Sequence, residues 1–286
     1  MQPFDIRRRA LAFALVSLAA GCATTGSAAQ GSGFNLFSAE QDVELGREAA
    51  RQIESQVRVL RHPRSTDYVD EIVHRLTAQA PGARFDYQVK LVDATDINAF
   101  ALPGGFIYAN RGLVEAVRSE GELAGVLAHE IAHVAMRHGT RQATKAAGAK
   151  AGLSVLQRIL GRNDNETGKI VGVVGGVGLN AAFLKFGRED EREADRVGAE
   201  IMAQAGYDPE DMARFFDLLA AQRKSNPSKV EQFFSSHPSP GDRAALIRQA
   251  GYRREYDRDD EIGGLASVQR DLRRLPASPG PRRTAR

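Results

Sequence analysis

The sequence has 286 residues, 42% of them hydrophobic, and its 39 basic and 36 acidic residues leave a formal charge of +3. This length is sufficient for a real core in one domain or two small ones. Much of the basic excess lies at the chain ends, at positions 7–9 and in Arg282, Arg283 and Arg286. The composition therefore lacks the basic stripe of a nucleic-acid-binding protein, and we expect no nucleic acid among its partners.

The first 22 residues have the pattern of a bacterial secretion signal. Three arginines, Arg7–Arg9, precede an apolar run, Ala10–Ala20, that is too short to span a membrane, and small residues lead to Cys22, the only cysteine. This resembles a lipobox, which implies a signal peptide at residues 1–21 and a lipid anchor on Cys22. An ordinary cleaved signal is the alternative. Ala23 is not the Asp of inner-membrane retention, so we expect an outer-membrane lipoprotein that faces the periplasm.

Two helices are predicted after a flexible tether, residues 22–37, that is rich in small and polar residues. Ser38 and Gln41 form a capping-box pattern at the start of the first helix. The apolar face of the first helix is predicted to contain Val43, Ala50, Ile53 and Val57. The second helix follows Pro63, and its buried stripe is predicted to be Tyr68, Val69, Ile72, Val73 and Leu76.

A small sheet is predicted next. The alternation of Phe85, Tyr87, Val89 and Leu91 with polar residues indicates a half-buried strand. Two further apolar runs, residues 97–102 and 106–110, flank Pro103-Gly104-Gly105 and indicate a hairpin.

From residue 111 onward the pattern is mainly helical. Residues 170–184 are strongly apolar but only about 15 residues long, which favours buried helices over a membrane-facing or mobile flap. Asp208-Pro209 caps a helix whose apolar residues are Met212, Phe215, Phe216 and Leu219. The tail after Pro276 has no periodicity and is predicted to be disordered. We therefore predict one folded domain over residues 38–252 and a charged, partly disordered extension over residues 253–286.

The strongest functional signal is His129-Glu130-Ile131-Ala132-His133, an HExxH motif within a run of helical periodicity. At about 100° per residue, His129 and His133 lie about 40° apart and one turn apart on a helix. Both imidazoles can therefore reach one metal ion. Glu130 lies about 100° from His129, where it can reach a water molecule beside the ion and act as a general base.

A third metal ligand is expected from the acidic run at residues 188–195. A solvated helix face is the ordinary interpretation of such a run, but here one side continues into an apolar stripe. Glu191 and Asp195 are four residues apart and share that side. Glu191 is the predicted ligand, with Asp195 accepting a hydrogen bond from a metal-binding histidine. Glu193 is the rival ligand, but it points about 160° from Asp195.

These residues resemble the HtpX and CAAX prenyl protease family of zinc peptidases. The resemblance rests on Glu122-Leu-Ala-Gly-Val-Leu-Ala-His-Glu-Ile-Ala-His133 and on Glu191-Arg-Glu-Ala-Asp-Arg196, and it spans about residues 38–250. It implies a mainly helical α+β fold of the zincin-like, gluzincin type, with a small sheet beside the HExxH helix and one Zn²⁺ ion per chain. It also implies that Glu191 is the third ligand.

Residues 98–105, Asn-Ala-Phe-Ala-Leu-Pro-Gly-Gly, resemble the small periplasmic branch of that family, the BepA and LoiP type. The resemblance implies that a strand containing Asn98, Ala99, Phe100 and Ala101 lies beside the cleft and pairs with an extended substrate. The chain has no convincing membrane-spanning helices, unlike HtpX and the prenyl proteases, and no room for the long C-terminal repeats of BepA.

Two further histidines need an interpretation. His138 does not fit the metzincin register and lies about 180° from His129 on a continuous helix, so we expect it at the surface or behind a metal ligand. His237 precedes Pro238 and is by default a loop or capping residue. Its resemblance to the BepA type implies a fourth ligand in a closed state or a hydrogen-bond donor to the transition state. Arg243 is expected to pair with an unidentified carboxylate near the site.

The sequence therefore predicts a zinc endopeptidase that acts on unfolded or misassembled cell-envelope proteins. A latent-protease chaperone or assembly factor for outer-membrane proteins is the first alternative, but a pure binding module has no use for Glu130. A structural lipoprotein with a fortuitous HExxH motif is the second, and the spacing of Glu191 and Asp195 argues against it.

Overall fold

A computed structural model describes residues 34–82, 84–145, 186–238, 242–252 and 262–276. The predicted signal peptide, Cys22, most of the tether, the apolar stretch at residues 170–184 and the tail after Pro276 lie outside these ranges. The interpretations of those segments remain predictions.

The described ranges are mainly helical, as predicted, with one small sheet. None of their helices combines the length and the apolar character needed to cross a membrane. The helices are α1 (Ala39–Gln56), α2 (Pro63–Thr77), α3 (Arg111–Ala116), α4 (Glu120–Ala135), α5 (Arg188–Ala205), α6 (Pro209–Ser225), α7 (Glu231–Ser236), α8 (Arg243–Gln249) and α9 (Leu265–Arg274). Residues 138–145 are also helical, and Pro227–Lys229 form a 3₁₀ turn.

The sheet has three strands, β1 (Gln88–Val92), β2 (Ala99–Leu102) and β3 (Phe106–Asn110), in the order β1-β3-β2. β2 and β3 form the predicted antiparallel hairpin, and β1 pairs with β3 in parallel. Gly104 and Gly105 have φ angles of 78° and 104°, which L-residues with side chains rarely adopt, so these glycines permit the turn. β2 is thus left at an edge of the sheet, whereas the first strand begins three residues later than the alternation from Phe85 predicts.

Helix α1 begins where its capping box predicts, and α2 begins at Pro63. The Ser38 side chain accepts a hydrogen bond from the backbone N–H of Gln41, and the Gln41 Oε1 accepts one from the backbone N–H of Ser38. All five apolar residues predicted for the stripe of α2 are buried. The predicted buried face of α1 is partly wrong. Ala50 and Ile53 are buried as predicted, but Val43 and Val57 are only half-buried. Leu45 and Ala49 are buried instead.

Helix α4 lies at the centre of the core. Every residue from Glu120 to Ala135 is buried, and the helix packs against α2, α5, α6 and β2. Two glycines allow this close packing: an added Cβ would lie 2.8 Å from the Met212 Cα at Gly125, and 3.1 Å from the His129 backbone nitrogen at Gly198. Because Gly198 belongs to α5, the backbone of α5 can approach the HExxH segment directly.

The core extends beyond residue 252, where the sequence analysis places the end of the catalytic domain. Helix α9 buries Val268 and Leu272 in the same apolar cluster as α4. The segment before α9 is also attached, since the buried carboxylate of Glu120 accepts hydrogen bonds from the backbone of Ile262 and Gly263. The sequence analysis assigns no element to this segment.

Candidate metal centre

Helix α4 supplies the first two side chains of the site. His129 and His133 are 1% and 3% exposed, and their Nε2 atoms lie 3.0 Å apart. Both rings project from one side of α4, as the spacing of four residues predicts. The Ser119 side chain caps the helix by accepting a hydrogen bond from the Glu122 backbone. The predicted pair of histidines is therefore brought together by local helix geometry.

Helix α5 brings Glu191 to the histidines. The helix starts at Arg188, and the Asp190 carboxylate accepts a hydrogen bond from the Gly187 backbone at this end. Glu191 is fully buried, and its Oε1 lies 3.5 Å from the His133 Nε2. Glu193, the rival ligand, lies instead beside His138. The side of α5 that carries Glu191 therefore faces the histidines, as the sequence predicts.

His237 completes the group from the end of α7. It is 1% exposed, and its Nδ1 lies 3.0 Å from the Glu191 Oε1 and 3.4 Å from the His129 Nε2. The segment before α5 also packs here: the Phe186 ring stacks on His133 at 3.8 Å, and its backbone donates a hydrogen bond to the Ser236 carbonyl. His237 thus lies at the C-cap of α7, as a capping or loop residue would, and also belongs to the buried group of possible donors.

The four side chains fit one metal ion. Their ligand atoms all lie within 4.8 Å of one another, and the distances given above run from 3.0 to 3.5 Å. A tetrahedral zinc ion with bonds of about 2.0–2.1 Å separates its ligands by roughly 3.3 Å. Glu191 Oε1 is the carboxylate oxygen that faces the histidines, whereas Oε2 lies 3.1 Å from the Arg243 Nη1.

Arg243 and Asp195 hold the far side of His129. The Asp195 Oδ1 lies 3.0 Å from the His129 Nδ1, and the Arg243 Nε donates a 2.8 Å hydrogen bond to the Asp195 Oδ2. Arg243 also lies 3.1 Å from Glu191, and its guanidinium stacks over the Phe216 ring at 4.0 Å. The carboxylate that the sequence left unidentified is therefore Asp195, with Glu191 as a second partner.

His138 is not a surface residue. It is completely buried, and its Nδ1 lies 2.8 Å from the His133 Nδ1. Its Nε2 lies 2.9 Å from the Glu193 Oε2. Helix α4 ends at Ala135, so the angular estimate that assumed a continuous helix to residue 138 does not apply. Of the two expectations for His138, the location behind a metal ligand is the one that the geometry supports.

Burial, neighbouring charges and hydrogen bonds together shift the pKa values of the buried groups at this site. Burial and the Arg243 charge lower the pKa of His129, but hydrogen bonds to Asp195 and Glu191 outweigh them and raise it to about 9. Burial, followed by the charges of His129 and His138, lowers the pKa of His133 well below its usual value. Burial alone raises the pKa of Glu191, but the His237 charge and the histidine hydrogen bonds hold it low. The neighbouring carboxylates thus favour the protonated form of His129, whereas burial favours the neutral form of His133.

Glu130 lies beside the four donors and outside their set. Its Oε1 is 3.4 Å from the His237 Nε2 and has no hydrogen-bond partner within the described residues. Burial raises the pKa of this carboxyl above its usual value. A buried carboxylate with a raised pKa is suited to take up and return a proton.

The β2 edge borders the site. A small recess between β2 and α4 is lined by Ala101, Leu102, His133 and Phe186. Of the four predicted strand residues, Ala101 therefore lies beside His133 in this recess. The contribution of Phe186 is not foreseen from the sequence, since this residue belongs to no local pattern with a metal-site spacing.

Known proteins resemble this chain over most of its length. A family profile described as "Peptidase family M48" matches residues 63–250. A "Beta-barrel assembly-enhancing protease" of Yersinia pestis is 32% identical over 74% of this chain and 44% of its own length. The chain thus spans less than half of that relative.

For two other relatives, the match spans a larger share of the relative's own length. The "Metalloprotease LoiP" of Escherichia coli strain K12 is 27% identical over 85% of this chain and 96% of its own length. The "Mitochondrial metalloendopeptidase OMA1" of Schizosaccharomyces pombe is 29% identical over 76% of this chain and 63% of its own length. The match to LoiP thus extends over nearly the whole length of that relative.

The first prediction concerns Asp195. Asp195→Asn keeps the size of the side chain but removes the charge that orients His129, so zinc affinity should fall about 10–100-fold. The measurement is competition for zinc against a chromogenic chelator. Glu200→Gln is the matched control on the same helix, because the Glu200 side chain is 41% exposed. Wild-type affinity in a folded Asp195→Asn protein would contradict the role assigned to Asp195.

Proposed function

The chain belongs to peptidase family M48, and we propose that it is a zinc-dependent endopeptidase in which Glu130 is the general base. The observation that supports this most directly is the buried set of His129, His133, Glu191 and His237, with the Glu130 carboxylate next to it. Imidazole and carboxylate ligands in a tetrahedral arrangement suit zinc among the common divalent ions.

The chemistry divides between the ion and the protein. A zinc ion bound there supplies a Lewis acid that polarises the scissile carbonyl and lowers the pKa of water toward about 7. Glu130 accepts the proton of the attacking water and then donates it to the leaving amine. Asp195 keeps the Nδ1 hydrogen of His129 in place, so that Nε2 faces the other donors. Arg243 in turn fixes Asp195 through its guanidinium.

We propose that strand β2 binds the substrate as an additional strand. The Asn110 backbone donates a hydrogen bond to the Asn98 carbonyl, so residues 98, 100 and 102 form the hydrogen-bonded pairs with β3. The backbone groups of Ala99 and Ala101 therefore point to the opposite edge, with which no described strand pairs. That edge offers a template for an extended peptide.

The substrate class follows from this geometry. A strand template accepts a polypeptide only in extended form, which favours unfolded or misassembled chains over compact ones. The lipoprotein-like pattern that ends at Cys22 supports envelope proteins as the natural substrates. We assign the activity to the predicted domain at residues 38–252, together with helix α9, whose apolar face completes its core.

A second candidate function is a latent protease that acts as a chaperone or assembly factor. The position of His237 favours it, because the Nδ1 of this residue fills the fourth corner of the donor set, where a reacting water would be needed. We propose that His237 is a ligand of the resting state. Its withdrawal would then open the site, which reconciles this candidate with the first.

The prediction for Glu130 tests the catalytic proposal. Purified full chain should cleave casein, and Glu130→Gln should retain zinc but lose about 10²–10⁴-fold in rate, because the amide cannot accept the proton. Rates come from fluorescent casein and zinc content from atomic absorption. Glu189→Gln, at an exposed position on α5, is the control. A Glu130→Gln protein as active as the wild type would rule out the general base, and wild type without zinc would rule out the metal centre.

The prediction for β2 concerns the outward N–H of Ala101. Ala101→Pro removes this donor at an edge strand, where proline is tolerated. It should lower kcat/KM about three- to tenfold relative to Ala101→Gly, the value of one hydrogen bond, while zinc content stays unchanged. Ala101→Gly retains the N–H and is the matched control. Equal kcat/KM for the proline and glycine variants would exclude pairing of substrate at this position.

The prediction for His237 separates a resting ligand from a transition-state donor. His237→Ala should retain zinc through the remaining three donors. Casein cleavage should rise by roughly the ratio of closed to open molecules in the wild type. A fall in the rate would instead assign His237 to the transition state. His74→Ala is the control, since that side chain is 69% exposed.

A further inference from the structure

His138 is a fully buried histidine outside the set of four donor side chains. Helix α4 ends at Ala135, and Arg137 has a left-handed φ of 57°, so the chain changes direction before residue 138. The His138 ring consequently returns to His133. The two ring centroids are 4.8 Å apart, in an edge-to-face arrangement. This contact depends on the turn and has no equivalent on a continuous helix.

The hydrogen bond between the two rings has a defined direction if His133 binds a metal ion. The Nε2 of His133 faces the other donors, and a nitrogen that binds metal carries no hydrogen. The hydrogen of the neutral ring is then on Nδ1, which lies 2.8 Å from the His138 Nδ1. His138 must therefore accept at Nδ1 and carry its own hydrogen on Nε2.

Glu193 meets this second requirement. Its Oε2 lies 2.9 Å from the His138 Nε2, and an ionised carboxylate can only accept. Arg141 supports the carboxylate from the other side, because its Nη2 donates a 2.7 Å hydrogen bond to the same Oε2. The hydrogen bonds thus run in one direction, from His133 to His138 to Glu193. An acceptor at the end of this chain excludes the opposite arrangement, in which the Nε2 of His133 would be protonated.

The two metal-facing histidines on α4, His129 and His133, are oriented by different contacts. Asp195 contacts the His129 Nδ1 directly, at 3.0 Å. Glu193 is two residues earlier on α5, and the His138 ring stands between its carboxylate and His133. The acidic run on α5 therefore serves both histidines, and His138 bridges the distance for the second.

We propose that His138 is a positioning residue for His133, with Glu193 setting the direction of the hydrogen bond between the two rings. The pair holds the His133 ring in the orientation and the tautomer that present Nε2 to the ion. This inference rests on the metal centre proposed above, and the variants below separate the two.

The experiment measures zinc affinity of the full chain by competition against a chromogenic chelator at fixed pH. His138→Leu removes the acceptor for His133 and should weaken zinc binding about 10–100-fold. His138→Asn restores an acceptor oxygen near the position of Nδ1 and should lie between His138→Leu and the wild type. Glu193→Gln retains shape but can donate as well as accept, so it should also weaken binding. Glu189→Gln and His74→Leu are the exposed controls.

A second readout reports the tautomer itself and does not depend on activity. Long-range ¹H–¹⁵N spectra of the zinc-loaded chain with ¹⁵N-labelled histidine should show His138 with its hydrogen on Nε2 and His133 with its hydrogen on Nδ1. Glu193→Gln should change the His138 pattern. If His138 served packing alone, His138→Leu would lower the thermal midpoint of the metal-free protein, and Glu193→Gln would leave zinc affinity and the His138 tautomer unchanged.

The outcomes are distinguishable. His138→Leu that folds and binds zinc within about twofold of the wild type overturns the inference and leaves the peptidase proposal standing. A His138 hydrogen on Nδ1 in the wild type overturns it as well, even if His138→Leu does not fold. Wild type that binds no zinc overturns both proposals.

Discussion

Helices α4 and α5 approach each other closely because Gly198 has no side chain, and the site depends on this contact. An added Cβ would lie 3.1 Å from the backbone of Ala128 and of His129, within the HExxH segment itself. The approach places the acidic run of α5 directly beside the histidines of α4. Glu191 then reaches the donor set, Asp195 reaches His129, and Glu193 reaches His138. One helix–helix contact therefore organises three of the four donors and the carboxylates that orient the α4 histidines.

The same contact buries several ionisable side chains, which is costly unless each of them is paired. An uncompensated buried charge costs several kcal/mol, and paired charges recover this only with good geometry and further hydrogen bonds. Here Arg243 lies between Asp195 and Glu191, and Arg141 supports Glu193. Within the described residues, Glu130 Oε1 is buried and still has no hydrogen-bond partner. This carboxylate is the proposed general base, and an unpartnered buried oxygen is expected at a position arranged for catalysis.

The parts of the site come from separated segments of the chain. Strand β2 lies on one side of α4, α5 on another, and His237 and Arg243 arrive at the end of α7 and the start of α8. Each segment is fixed to the core: Phe233 anchors α7, and Ile247 anchors α8. His237 lies at the C-terminal end of a short helix, whereas His129 and His133 belong to the long central helix α4. The fourth donor therefore depends on a different tertiary attachment from the other histidines.

Local patterns determine much of this protein. The capping box at Ser38, the stripe of α2, the hairpin around Gly104 and the pairing of His129 with His133 each depend on residues a few positions apart, so the sequence alone predicts them. The choice of Glu191 over Glu193 likewise follows from helical spacing. The tertiary structure alone decided the partner of Arg243, the place of His237 among the donors and the role of α9, since these depend on contacts between distant segments. His138 shows why such contacts do not follow from local spacing. Arg137, with a left-handed φ, lies between the end of α4 and His138, so the backbone turn and not the helical period sets the direction of the His138 ring.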